Sequence, residues 1–163
     1  MIGPIVPSSY LDERIEGVKG YGASLWKLKC INWLETKPSQ SVVYISTGSL
    51  ASLKAEQIEE VARGLKERGV NFLWVLRESE QSKLPCGYKD DKGLTVTWCN
   101  QLELLAHQAT CCFVTHCGFN STLESLSLGV PVVCLPQWTD QSSNAMFLEQ
   151  VWECGQRRMR KEL

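Results

Sequence analysis

An apolar, strand-like Phe113-Val114-Thr115 runs straight into His116-Cys117-Gly118-Phe119-Asn120-Ser121, and a helical pattern follows. A strand that ends in a tight turn and opens a helix aims backbone N–H groups at whatever occupies the helix N-terminus. That arrangement attracts anions, phosphate above all. Gly118 lets a ligand come close to the backbone. Asn120 and Ser121 offer an N-cap and further donors toward phosphate. His116 is one of two histidines. A lone histidine is often structural, but beside a helix N-terminus protonation is disfavoured and a hydrogen bond to a diphosphate is well placed. The expected ligand is a phosphorylated one.

Other candidates each have a plain alternative. Trp98 ends a strand, where a flat indole can stack on a base for about 1–3 kcal/mol or merely cap the sheet. Gln101 is a polar group near that Trp or an ordinary residue in the first turn of a helix. Ser121-Thr122-Leu123-Glu124 fits S-x-x-E, a capping box that needs no ligand. Asp140 follows Pro136-Gln137-Trp138-Thr139 and suits a helix N-terminus in any case. The eight cysteines include no C-x-x-C pair. Cys111 and Cys112 are neighbours on a strand and are expected to point to opposite faces, which argues against a metal site. Reduced thiols packed as small hydrophobes are the expectation. Neither G-x-G-x-x-G after a strand nor G-x-x-x-x-G-K-[ST] occurs.

Alternating strands and helices must position these groups. Residues 1–40 read as linker and entry, with a short helix over Ile31–Leu34 before Pro38. Short apolar, β-branched runs predict strands over 41–47, 70–76, 94–98, 111–115 and 132–135. Ile58, Val61, Ala62 and Leu65 form a helical stripe that Gly69 stops. The polar stretch Glu78–Gly93 reads as a surface loop. Further helices are expected from Asn120 to Gly129 and from Gln141 to Glu153, with a sixth strand over Gln156–Arg160. Such alternation predicts an α/β fold, a Rossmann-like parallel sheet with helices on both faces. Ligands of such sheets sit at the carboxyl ends of the strands, the edge on which Ser49, Trp98, His116 and the Pro136–Gln141 stretch fall.

Composition narrows the partners. With 163 residues the chain suits one domain with a sizeable core. A net charge of −1 offers no basic field for nucleic acid or an anionic membrane. No apolar run is long enough for a membrane span, and no signal peptide is visible at the start. A cytoplasmic monomer is expected.

The stretch 98–141 resembles the signature box of the plant secondary-product UDP-glycosyltransferases. Trp98, Gln101, Thr115-His116-Cys117-Gly118, Asn120-Ser121, Glu124, Gly129-Val130-Pro131, Pro136 and Asp140-Gln141 stand at that family's spacing. Ser41–Ser46 with Gly48-Ser49, and Asn71–Arg77, resemble the first two strands of its C-terminal domain. The resemblance implies one half of a GT-B fold, 41–163, truncated at its C-terminus, with the N-terminal acceptor domain absent. It implies UDP-glucose as donor substrate, no other cofactor, no metal, and inverting transfer to a small-molecule hydroxyl or carboxyl acceptor. Trp98 would stack on uracil, with Cys99 beside it, and Gln101 and Glu124 would hold the ribose. Ser49, His116, Gly118, Asn120 and Ser121 would meet the diphosphate. Phe119, Trp138, Asp140 and Gln141 would surround the sugar, Gln141 favouring glucose. Phe119 stands where the family usually has Trp, and Thr47 where it commonly has Phe. The family's catalytic base belongs to the other domain, so the chain contributes no catalytic residue and by itself is expected to be inactive. A non-catalytic UDP-sugar-binding module and an interaction remnant are the alternatives.

Overall fold

The computed structural model describes residues 6, 10, 25–49, 51–88 and 90–157. Six parallel strands form one sheet in the order β3-β2-β1-β4-β5-β6: β1 (Val42–Ser46), β2 (Asn71–Val75), β3 (Gly93–Val96), β4 (Thr110–Thr115), β5 (Val132–Cys134) and β6 (Gly155–Arg157). Parallel neighbours need a crossover, and helices supply the crossovers here. They are α1 (Leu25–Glu35), α2 (Ala55–Arg68), the single turn α3 (Glu78–Gln81), α4 (Gln101–Leu105), α5 (Phe119–Ser127) and α6 (Gln141–Gln150).

Side-chain alternation sorts the core onto two faces. In β2, Leu73 joins Cys30 and Leu34 of α1, Tyr44 of β1 and Phe113 of β4 on one face. Its neighbours Phe72 and Trp74 join Ile45 and the α2 residues Ile58 and Ala62 on the other. The rings of Tyr44 and Phe113 stack at 4.8 Å. A third cluster, Cys117, Val132, Cys134, Ala145 and Leu148, lies under α6. The Rossmann-like expectation therefore holds. Helix α2 ends as expected, with Gly69 at φ 58 and its N–H bonded back to Leu65 and Lys66.

Several expectations are corrected. Helix α1 is longer than Ile31–Leu34, and Cys30 and Leu34 are buried, so it belongs to the packed body. The polar run from Glu78 is not wholly surface loop: it opens with α3, and Glu80 is 2% exposed. Glu80 accepts hydrogen bonds from Ser52 Oγ at 2.9 Å and Leu53 N at 3.1 Å. It also pairs with Arg77 and Lys83. Burial raises its pKa, but Ser52, Lys83 and Arg77 outweigh that and hold it below the usual carboxylate value. Helix α6 stops at Gln150, before the left-handed Glu153. Strand β6 begins at Gly155, and the expected part beyond 157 lies outside the described residues. Finally, Cys111 and Cys112 do not point apart. Val42 faces Thr110 whereas Val43 faces Cys112, so Cys111 is the extra residue of a bulge. Their sulfurs lie 3.9 Å apart.

Candidate functional site

Strand order reverses at β1, which pairs with β2 on one side and β4 on the other. The chain must leave β3 and re-enter beyond β1, so the connections at the carboxyl ends of β1 and β4 diverge and open a crevice. Gly48 follows β1 and His116 follows β4, and they meet there. A Cβ on Gly48 would stand 2.5 Å from His116 Cε1, and one on Gly118 would stand 2.5 Å from Nε2. The imidazole occupies a slot that exists because both positions are glycine. Gly48 also has φ 75, a conformation side chains disfavour. Burial lowers the pKa of His116, partly opposed by Asp140, so the ring is neutral at pH 7 and can donate one N–H.

The turn itself is strained. Cys117, fully buried, has φ 64, an uncommon choice for a residue other than glycine. Its N–H donates to Thr115 Oγ1 at 3.3 Å, and its carbonyl accepts from Asn144 Nδ2 at 3.0 Å. Helix α5 starts directly afterwards with Gly118 as N-cap, and no side chain caps it. Its first-turn N–H groups are thus available to an anion. This corrects the assignment of Asn120 and Ser121 as caps: both lie inside the helix. It removes the capping-box alternative for Glu124 as well, because Ser121 is not the residue that starts the helix.

Beside this terminus lies a cleft of about 310 Å³ lined by Trp98, Cys99, Gln101, Asn120 and Glu124 among others. Strand β3 ends at Val96, so Trp98 sits two residues beyond it and is 50% exposed, not a sheet cap. Gln101, the first residue of α4, donates through Nε2 to Glu124 Oε2 at 2.7 Å and to Ser121 Oγ at 3.0 Å. Its Oε1 accepts from Tyr44 OH at 3.3 Å. Burial pushes the Glu124 carboxyl above its usual value, and the Gln101 bond only partly offsets this. Tyr44 also contacts Cys99 Sγ at 3.4 Å. Cys99 is packed in the core cluster around Tyr44 and Phe113, and burial pushes its thiol up to about 12.

The segment after β5 approaches from the other side. The Thr139 hydroxyl (2.8 Å) and Asn144 Nδ2 (2.9 Å) donate to Asp140. With the nearby His116 they hold its carboxyl below the usual range. Asp140 does not cap α6 with its side chain. Gln141 is buried, and its Oε1 accepts the N–H groups of Gln137 (2.9 Å) and Trp138 (3.3 Å). Its amide oxygen shapes the loop that follows β5. Trp138 and Phe119 are 51% and 60% exposed. Ser49 is exposed, and Arg77 donates to its carbonyl and to that of Ala51. Thr47 is buried behind it.

Sequence reasoning missed Tyr44, Asn144 and the Arg77–Glu80–Lys83 brace. Arg77, Glu80 and Lys83 do stand three apart, but what gives each of these residues its place is a contact remote in the chain: Tyr44 with Gln101, Asn144 with Cys117, and the brace with Ser52, Leu53 and Ala51. Among the described residues no cluster of three or more metal-ligating side chains occurs. No helix among them is long and apolar enough to cross a membrane.

Known proteins are similar to this chain in sequence and fold. The family model for UDP-glucoronosyl and UDP-glucosyl transferase matches residues 17–161. Mogroside I-E synthase of Siraitia grosvenorii is 55% identical over 99% of this chain and 37% of its own length. UDP-glycosyltransferase 74B1 of Arabidopsis thaliana is 54% identical over 96% of the chain and 35% of its own length. Among solved structures, Os79 from O. sativa in complex with UDP superposes with a TM-score of 0.87 at 41% identity. That match covers 98% of this chain and 37% of Os79. The chain spans little more than a third of the length of these relatives.

Proposed function

The chain belongs to the UDP-glycosyltransferase family, and we propose that it is the donor-binding half of such an enzyme, taking UDP-glucose for transfer to a small-molecule hydroxyl or carboxyl. One observation carries this reading: the uncapped N-terminus of α5 shares an edge with a cleft that collects Trp98, Gln101 and Glu124. In this reading uracil stacks on Trp98. The ribose hydroxyls donate to Glu124, whose two oxygens suit a vicinal diol. The diphosphate meets the first-turn N–H groups and the neutral His116. Asp140 and the Gln141 amide nitrogen hold the sugar hydroxyls. The chemistry asked of this half is leaving-group stabilisation by fixed donors as the acceptor oxygen attacks the anomeric carbon and UDP departs with inversion.

No described residue stands as a general base for the acceptor. His116 faces the diphosphate side in this reading, and His107 accepts the backbone N–H of Ala109 and is not among the residues that line the cleft. We therefore assign the base and most of the acceptor pocket to residues outside this chain. The eight free cysteines favour a reducing, cytoplasmic setting, and we infer a monomer.

The test is calorimetric titration of the purified chain with UDP and UDP-glucose, followed by a transfer assay over a panel of phenolic and carboxylic acceptors. Binding without turnover is expected, because loss of a general base alone costs about 10²–10⁴-fold. Robust transfer would place the base within this chain. Absence of UDP binding would leave only an interaction remnant.

A further inference from the structure

The bulge in β4 creates a feature that nucleotide binding does not use. On a regular strand Cys111 and Cys112 would project to opposite faces. The register shift between Val42 and Val43 instead brings the two sulfurs to 3.9 Å, and both residues are only partly buried. This spacing does not suit a disulfide. An S–S bond measures about 2.05 Å and needs Cα atoms roughly 4.4–6.8 Å apart, whereas adjacent Cα atoms are held at about 3.8 Å. It does suit one atom bonded to both sulfurs. With bonds of about 2.3 Å, the length of a soft metal–thiolate bond, a 3.9 Å bite subtends about 116°, and closing it to the roughly 100° of a pyramidal centre needs the sulfurs to approach by only about 0.4 Å, within the reach of χ1 rotation.

We propose that Cys111 and Cys112 form a vicinal-dithiol site for a trivalent organoarsenical, a soft thiophilic centre that carries its own organic substituent. The substituent decides between candidates. A divalent metal ion needs two further protein ligands for a closed tetrahedral site, and no described cluster of three or more ligating side chains includes this pair. A monosubstituted arsenic(III) needs only two thiols. The step is a condensation: an arsenoxide R–As=O and two S–H groups give R–As(S)₂ and one water. Two As–S bonds form, the As=O bond is lost, both thiol protons leave in the water, and no oxidation state changes. Burial and the neighbouring Cys111 push the Cys112 thiol up to about 12, which keeps that thiol protonated and slow toward oxidants.

Phenylarsine oxide at stoichiometric concentration is the probe, read by intact mass and by titration of remaining thiols. The expected result is one phenylarsenic per chain with loss of one water and of two titratable thiols. That adduct should be absent from Cys111→Ser and Cys112→Ser and retained in Cys86→Ser and Cys134→Ser. UDP should not protect against it, and Cd²⁺ in place of the arsenical should leave no adduct after desalting. An undiminished adduct in the Cys111→Ser/Cys112→Ser double variant, or none in the parent chain, would overturn the site. Protection by UDP would do the same, by moving the reaction to Cys99 at the cleft.

Discussion

Glu80 and Glu124 are both shielded from water, yet their environments pull them in opposite directions. Glu80 gathers Ser52 Oγ, Leu53 N, Arg77 and Lys83 around its two oxygens. Its net shift is downward. Glu124 accepts a hydrogen bond from Gln101, and its shift is upward. A carboxylate whose lone pairs are filled by the fold stabilises the fold. One left half-filled beside a cleft raises the folded state's energy at neutral pH until a ligand supplies the missing donors. Glu80 braces the loop that carries Gly48 and Ser49 to the site; Glu124 is part of the site.

The largest expected effect comes from breaking the brace. Glu80→Ala removes the carboxylate partner of Arg77 and Lys83 and leaves the buried Leu53 N–H without its acceptor, and loss of one partner from a buried pair costs about 3–5 kcal/mol. Because those cations are 31% and 29% exposed, solvent screening brings the expected loss below that range, to about 2–3 kcal/mol. Urea unfolding measures this. A loss under about 0.5 kcal/mol, the range of ordinary surface substitutions, would show that Glu80 is not structural.

Glu124→Gln should behave in the opposite way. UDP affinity should fall about 10- to 100-fold, since a charged hydrogen bond contributes about 1.5–3 kcal/mol, while the melting temperature holds or rises. Acid titration separates the pair further. Glu80, with a depressed pKa, adds stability above its unfolded value of 4.5, and that stability is lost as pH falls through the folded value. Glu124, with a raised pKa, adds stability below 4.5 that is lost as pH rises through its folded value. Glu80→Gln should therefore flatten the acid limb of the stability curve, and Glu124→Gln should steepen the fall from neutral pH. Identical acid limbs in the two variants would erase the distinction.

Much of this was legible beforehand. Alternation in Phe72-Leu73-Trp74 and the Ile58–Ala62 stripe with its Gly69 stop are local signals, and they held. The turn from Thr115 to Gly118 was legible for the same reason. What escaped was set by pairing at a distance. Glu80 looked like one more charge in a polar run because its partners Ser52 and Leu53 lie across the β1–α2 loop. The Cys111 bulge arises from register with β1, which no local pattern encodes. Asn120 and Ser121 looked like caps until Cys117 took the left-handed conformation and moved the start of α5 to Phe119.

Asn144 tests whether the two sides of the site are coupled. One amide nitrogen bridges the Cys117 carbonyl of the diphosphate turn and the Asp140 carboxylate. Removing it should relax a strained φ and free Asp140 to rotate. Asn144→Ala should weaken UDP-glucose by about fivefold to tenfold, as loss of about 1 kcal/mol implies, and UDP by less. Equal weakening of both ligands would place its effect on the turn alone.

Phe119→Trp is the smallest change and the finest probe. The ring is 60% exposed, so enlarging it meets open space, not a packed core, and overpacking costs of about 1–3 kcal/mol do not apply. Stability should stay within about 0.5 kcal/mol of the parent. The backbone at 119 is the first residue of α5, and its N–H direction is set by Cys117 and Gly118 irrespective of the ring. UDP should therefore bind both forms equally. The indole adds apolar area and an N–H donor on the side where Asp140 and Gln141 approach, so UDP-glucose should bind the Trp form as well or better. Paired titrations with UDP and UDP-glucose decide it. A gain for UDP alone would put the ring on the nucleotide, beside Glu124 and Trp98. A loss of fold would mean that the ring at 119 is not free to grow into solvent as its exposure implies.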